Sequence, residues 1–143
     1  MVESPELSEP LEAAQVEPAE LRARRPQVAK IYAGRFVAGR RHVVVRGIAG
    51  AAPLRCLDFN TPTFAWGYHG GASEELAIAI LHDHLGSPSL MVESRVLALY
   101  RSFVDEIVAN FAYDGAWSMT EGTVAKWIRV HEQRAEVSRV ATR

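Results

Sequence analysis

The residues of this chain best suited to chemistry are a run of arginines set among aromatic side chains. Arg35, Arg41 and Arg46, with Arg40 between them, are interleaved with Tyr32, Phe36 and His42. Cations and rings carried on β-strands are how several modules hold single-stranded nucleic acid, with guanidinium groups meeting phosphates and rings stacking on bases. From Leu21 to Leu57 there is no acidic residue, whereas that stretch holds Arg22, Arg24, Arg25, Lys30, Arg35, Arg40, Arg41, Arg46 and Arg55. The expectation is a binding face built on Arg35, Arg41 and Arg46 with aromatic help from Trp66 and Tyr68. The competing reading is a solvated face with no ligand, since an antiparallel sheet needs one polar side in any case. The basic set of 14 Arg to 2 Lys is equally what a particular genomic base composition would produce.

A second group is the loop Phe64-Ala65-Trp66-Gly67-Tyr68-His69-Gly70-Gly71, which leads into an apolar helix. A helix N-terminus presents free N–H groups and a positive dipole end to an anion. Glu74 and Glu75 stand in the first turn, however, and would repel one. The loop also lacks the Gly-Lys-Ser/Thr ending of a P-loop and the GxGxxG spacing of a dinucleotide site. It reads either as a tight turn that seats Trp66 and Tyr68 in the core, or as a stacking platform for a base. His69 on this loop could meet a ligand from elsewhere.

The remaining chemistry-bearing residues do not converge. His82-Asp83-His84 resembles a metal motif on paper, but on a helix His82 and His84 diverge by roughly 200° and cannot share one ion. His84 follows Leu76 and Ile80 and edges the apolar face, while Glu75 and His82 are expected on the solvent side. Cys56 with His69 or His42 would make a nucleophile and base, yet a lone Cys in an apolar strand is usually core. Asp58 suits an Asx-turn before Pro62. The two last helices only faintly suggest a helix-turn-helix, because the gap from Phe111 to Glu121 exceeds the usual turn. No catalytic residues, no metal site and no cofactor are expected.

These residues require elements to position them. Lys30 to Gly47 alternates as a β-hairpin, with Gly39-Arg40 suited to a two-residue turn. Gly47 to Pro53 reads as a loop and Leu54 to Leu57 as a third short strand. Ser73 is the expected N-cap of a helix from Glu74 to about Leu85. Ser87-Pro88 starts a second helix that runs to about Phe111. Ala116 to Met119 reads as a short strand, and Thr120 caps a last helix to about Val137, whose apolar stripe is Val124, Trp127, Ile128 and His131. The fold class is α+β, a small antiparallel sheet packed by three C-terminal helices. Residues 1–27 are expected to be a disordered acidic tail, 28–137 a single domain and 138–143 a C-terminal tail. The tail composition supports this: Glu3, Glu6, Glu9, Glu12, Glu17 and Glu20 occur with no Lys or Arg among the first 20 residues, and with repeated Pro. Such a segment buries too little apolar surface to offset its ordering entropy.

Bulk properties bound the rest. The 143 residues are 48% hydrophobic and 23% charged, ordinary for one globular domain. A single cysteine excludes an intrachain disulfide and fits a reducing compartment. No apolar run approaches a membrane span, and Met1 to Pro5 has no signal-peptide character, so a cytoplasmic location is expected. The formal net charge of −1 conceals an asymmetry, because the first 20 residues alone carry six of the 17 acidic groups.

The block Trp66-Gly67-Tyr68-His69-Gly70-Gly71-Ala72-Ser73-Glu74-Glu75-Leu76 resembles an uncharacterised prokaryotic and phage family, domain of unknown function 6166. The resemblance extends to Tyr32-Ala33-Gly34-Arg35, to Trp117-Ser118-Met119-Thr120 and to Val124 with Trp127, and departs from the family at Ala72 and Ser73, where Gly and Pro are usual. It implies one domain over roughly Lys30 to Ile128, a bacterial, archaeal or phage origin, and weight on the aromatic-glycine loop. It implies no activity.

The leading functional expectation is a non-enzymatic module binding nucleic acid, a nucleotide or another phosphate-bearing small molecule. The alternative is a protein-interaction or inhibitor-like accessory protein of a mobile element, since Trp66, Trp117 and Trp127 are residue types favoured at interfaces. A small hydrolytic enzyme centred on His69 ranks third. A homodimer through an exposed helix face stays open, and no membrane partner is expected.

Overall fold

The computed structural model describes residues 30–86 and 89–141. The expected acidic tail and the expected Ser87-Pro88 helix start lie outside the described residues. Strands β1 (Ile31–Val37) and β2 (Arg40–Gly47) form an antiparallel hairpin in which Val37 pairs with Arg40. The turn is therefore Ala38-Gly39, one residue earlier than the sequence suggests. Both residues have positive φ, 54° and 76°, the combination that matches the twist of a two-residue hairpin. Strand β3 (Gly50–Pro53) pairs with β2, and β4 (Trp117–Thr120) pairs with β1, giving the antiparallel order β3-β2-β1-β4. The third strand is thus Gly50–Pro53, and Leu54 to Leu57 is irregular.

Alternation along the strands sets two faces. Tyr32, Gly34 and Phe36 share the inner face with their partners Val45, Val43 and Arg41 on β2 and with Met119 and Trp117 on β4. Tyr32, Val43, Trp117 and Met119 are buried there in one cluster with Leu76, Ile80, Phe103 and Val124 from the helices. Ile31, Ala33, Arg35 and Val37 share the outer face with Arg46, Val44, His42 and Arg40.

Helix α1 (Gly71–Leu85) is the central element, buried without a break from Glu75 to Leu81. A helix apolar on all sides has to be enclosed by the rest of the domain. Helix α2 (Leu90–Glu106) is capped by Ser89, whose hydroxyl accepts from the Val92 amide at 3.1 Å. It stops well before Phe111. Ile107 leaves helical geometry at φ −126°, and Val108–Asn110 form a 3-10 turn. The Asn110 side-chain amide donates to the carbonyls of Glu106 and Asp105 at 3.0 and 3.3 Å, satisfying groups that a helix end leaves open. Helix α3 (Glu121–Ala141) follows directly on Thr120, whose hydroxyl accepts from the Thr123 amide at 3.2 Å. It continues past Val137 to Ala141, and only Val124 and Ile128 on it are fully buried. These elements form an α+β fold of a four-stranded antiparallel sheet and three helices.

Candidate functional site

The hairpin register separates arginines that the sequence groups together. Arg35 stands opposite His42, Arg40 opposite Val37 and Arg46 opposite Ile31, all on the outer face and all exposed. Arg46 lies four β1 residues from Arg35, roughly 13 Å along the strand. Ile31, Ala33, Val37 and Val44 form the apolar ground between them. The two strands hold no carboxylate. Among the described residues none of Arg35, Arg40 and Arg46 has an ion pair.

Arg41 is on the opposite face, which corrects the expectation that it shares a surface with Arg35 and Arg46. Its guanidinium lies 4.7 Å from the Phe36 ring centre, 5.2 Å from Trp66 and 4.6 Å from Tyr113. One terminal nitrogen donates to the Tyr113 carbonyl at 2.9 Å. Three rings and a carbonyl hold this cation as a clamp between the hairpin tip and the segment after α2, through cation–π attraction. Its Nε is buried without a partner among the described residues.

The aromatic-glycine loop divides in the same way. Trp66 is fully buried, with its indole N–H donating to the Gly115 carbonyl at 3.0 Å and its ring edge-on to Phe36 and Trp117. No face of it is open to a base. Tyr68 is 40% exposed and packs on Tyr113 at 5.7 Å. His69 is exposed and pairs with Asp105 at 2.8 Å. The structure thus gathers Arg41 and Tyr68 around Tyr113, ties His69 to α2, and leaves Arg35 and Arg46 on the outer sheet face. Gly67 adopts φ +87°, and an added Cβ would lie 2.4 Å from the Tyr113 Cα. Its lack of a side chain serves backbone packing.

The start of α1 is likewise committed to structure. Gly70 precedes the helix, so Ser73 lies within it, fully buried, and is not the cap. Glu75 is also fully buried, in contrast to the solvent-side placement expected from the sequence. Its carboxylate accepts from the Asn60 amide and from the Thr61 amide at 3.4 Å, while Glu74 accepts from the Asn60 side chain at 3.2 Å. Both acids fasten the Asp58–Thr61 bend, where Asp58 takes a left-handed φ of 55°. An anion would have to displace these bonds. Cys56 Sγ lies 3.6 Å from the Thr61 carbonyl, and burial pushes its thiol pKa up, away from the nucleophilic thiolate.

The histidine pair diverges as helix geometry requires. His84 Nδ1 lies 3.0 Å from Glu121 on α3, whereas His82 lines a cleft on another side. Between them, Asp83 accepts from the Tyr32 hydroxyl at 2.7 Å and from Lys30 at 3.2 Å. In the sequence, Asp83 stands out only as the middle of the His82-Asp83-His84 motif. The signal for this contact is its spacing, seven residues after Leu76 and four after Ala79, which puts it on the buried stripe of the helix. Burial, then the hydrogen bond and charge of Asp83, pushes the Tyr32 pKa far above the ordinary phenol value. Trp66 and Trp117 are core residues, and Trp127 is half-buried with its N–H on Glu106 at 3.0 Å, so the tryptophans mainly fill and fasten the interior. Strand β4 separates α2 from α3, which removes the helix-turn-helix reading. No helix among the described residues is long and apolar enough to cross a membrane.

An antiparallel sheet with one helix-covered face and one arginine-bearing open face defines the class, a small α+β domain with a basic sheet surface. Residues 32–130 match the model of a family of unknown function (DUF6166), and the chain belongs to that family. The match runs from Tyr32 on β1 into α3 and so takes in most of the core. Comparison with curated proteins and with solved structures returned no match.

Proposed function

We propose that the outer face of the hairpin binds the phosphate backbone of single-stranded nucleic acid. The observation that carries this reading is the grouping of Arg35, Arg40, Arg46 and His42, all exposed, on one sheet face whose β1 and β2 residues include no carboxylate. Fixed strand spacing places the three guanidinium groups along the hairpin, where each can pair with one phosphate through parallel N–H donors. His42 adds a ring beside Arg35 on which a base can stack. Tyr68, Trp66 and Arg41 have no part in this surface. His69 lies off this surface, paired with Asp105 on α2.

Salt dependence tests the proposal. Binding of a fluorescent oligothymidylate, followed by anisotropy, should weaken on a log–log plot against salt with a slope of about −2, for roughly three neutralised phosphates on a single strand. Replacing Arg35 and Arg46 together by Ala should bring the slope to about −1. Removing residues 1–20 takes away six glutamates and no cation, and should raise the affinity by lessening competition for the same arginines. Unchanged binding in the double variant would refute the proposal.

A protein partner is the second reading. It is favoured by Leu90, Met91 and Leu97 on α2, which are 84%, 76% and 58% exposed. Exposed apolar groups clustered on a helix suit an interface. Binding of this kind would be insensitive to salt.

A further inference from the structure

Beside the C-terminal half of α1 lies a cleft of about 490 Å³, whose lining shares no residue with the basic face of the hairpin. Its size falls in the range of small-molecule sites. Leu54 and Ala79, both buried, form its floor, with Leu57 and the half-exposed ring of Phe59 beside them. Asp83 and Glu93 supply carboxylates to the lining, and Arg55 and His82 are its basic side chains.

We propose that this cleft binds a small apolar molecule bearing a protonated amine, with the ammonium group held by Asp83. The side chain of Asp83 is fixed from behind. Its Oδ2 receives the Tyr32 hydroxyl at 2.7 Å and Lys30 Nζ at 3.2 Å, and Tyr32 itself is fully buried. The other oxygen, Oδ1, has no hydrogen bond among the described residues, and the side chain is 31% exposed where it lines the cleft. A carboxylate with one oxygen anchored and the other free is a preorganised acceptor, so little entropy is lost when a donor arrives. An ammonium offers three donors, one of which Oδ1 can accept, and Glu93 adds a second carboxylate to the same lining. Leu54, Leu57 and Phe59 would cover the apolar body, which accounts for carboxylates set against an apolar floor. Arg55 would meet a carboxylate if the ligand carries one, as an amino acid does.

Three probes with a common phenyl body separate the alternatives: 2-phenylethylamine, L-phenylalanine and 3-phenylpropionate. Each is titrated into the full chain while amide and side-chain resonances of the cleft residues are followed by NMR. The two ammonium probes should give saturable shifts, and 3-phenylpropionate should bind about tenfold more weakly or not at all, because it brings no donor to Asp83 and its carboxylate is repelled by Asp83 and Glu93. Asp83→Asn, which keeps the Tyr32 and Lys30 contacts through its amide oxygen, should remove most of that preference while preserving the spectrum of the fold. Arg55→Ala should weaken L-phenylalanine and spare 2-phenylethylamine. Equal binding of all three probes, an unaltered preference in Asp83→Asn, or no saturable cleft shift up to about 10 mM probe would overturn the proposal. None of these readouts depends on the basic sheet face.

Discussion

Gly34 on β1 lies directly opposite Trp117 on β4, and the indole fills the space a side chain would need. A Cβ at Gly34 would lie 2.3 Å from the indole nitrogen. The ring cannot retreat, because Phe111 stacks on it at 4.5 Å with an interplanar angle of 13°, and Trp66 meets it edge-on. Gly34→Ala should therefore destabilise the fold by about 3 kcal/mol, the upper part of the overpacking range, as measured by chemical denaturation. Trp117→Leu in the same background should recover part of the loss, whereas additive losses in the double variant would mean that the two sites do not touch.

Glu75 offers a second test. It is a buried carboxylate whose partners are the backbone amides of Asn60 and Thr61. Glu75→Leu removes the acceptor from these part-buried donors and should cost about 2 kcal/mol. Glu75→Gln keeps an acceptor oxygen in place and should cost less. Hydrogen exchange at the two amides should accelerate sharply in the Leu variant, and unchanged protection would show that the bend is held by something else.

The raised pKa of Tyr32 implies an alkaline limit to stability. The folded state holds this proton more tightly than the unfolded chain does. The contribution is full below the ordinary phenol value of about 10 and is lost as pH climbs from there toward the folded value, by up to about 1.4 kcal/mol per pH unit. Tyr32→Phe has no proton to lose at this position. Denaturation series between about pH 8 and pH 11 should show wild type falling more steeply than the variant, and parallel curves would contradict the account.

The legible parts of the fold were those in which local pattern and tertiary packing agree. The β-branched run Val43-Val44-Val45 marks the hairpin, the apolar block after Gly71 marks α1, and Thr120 marks the start of α3. Where tertiary pairing overrides local preference, the sequence misleads. Gly50-Ala51-Ala52-Pro53 has no strand signal and becomes β3 only because β2 offers an edge. Ala38 accepts a left-handed φ that the chirality of an L-residue disfavours by about 1–2 kcal/mol, which moved the turn by one position. Apolar spacing continues through Val108 and Phe111, but those side chains reach the core from a 3-10 turn and the segment after it. The candidate site was legible in composition and not in sidedness. The basic stretch is plain to see, yet only the register shows that Arg35 and Arg46 share a face with Arg40 while Arg41 turns inward.

That sidedness is the claim to test most directly. Side-chain Nε–H resonances of the arginines can be followed by NMR while oligothymidylate is added to the full chain at low salt. The Arg35, Arg40 and Arg46 signals should shift together and saturate at one concentration, while the Arg41 Nε signal, packed among Phe36, Trp66 and Tyr113, stays in place. A shift led by Arg41 with the Tyr68 and Tyr113 rings, or no shift in any of the four, would contradict it.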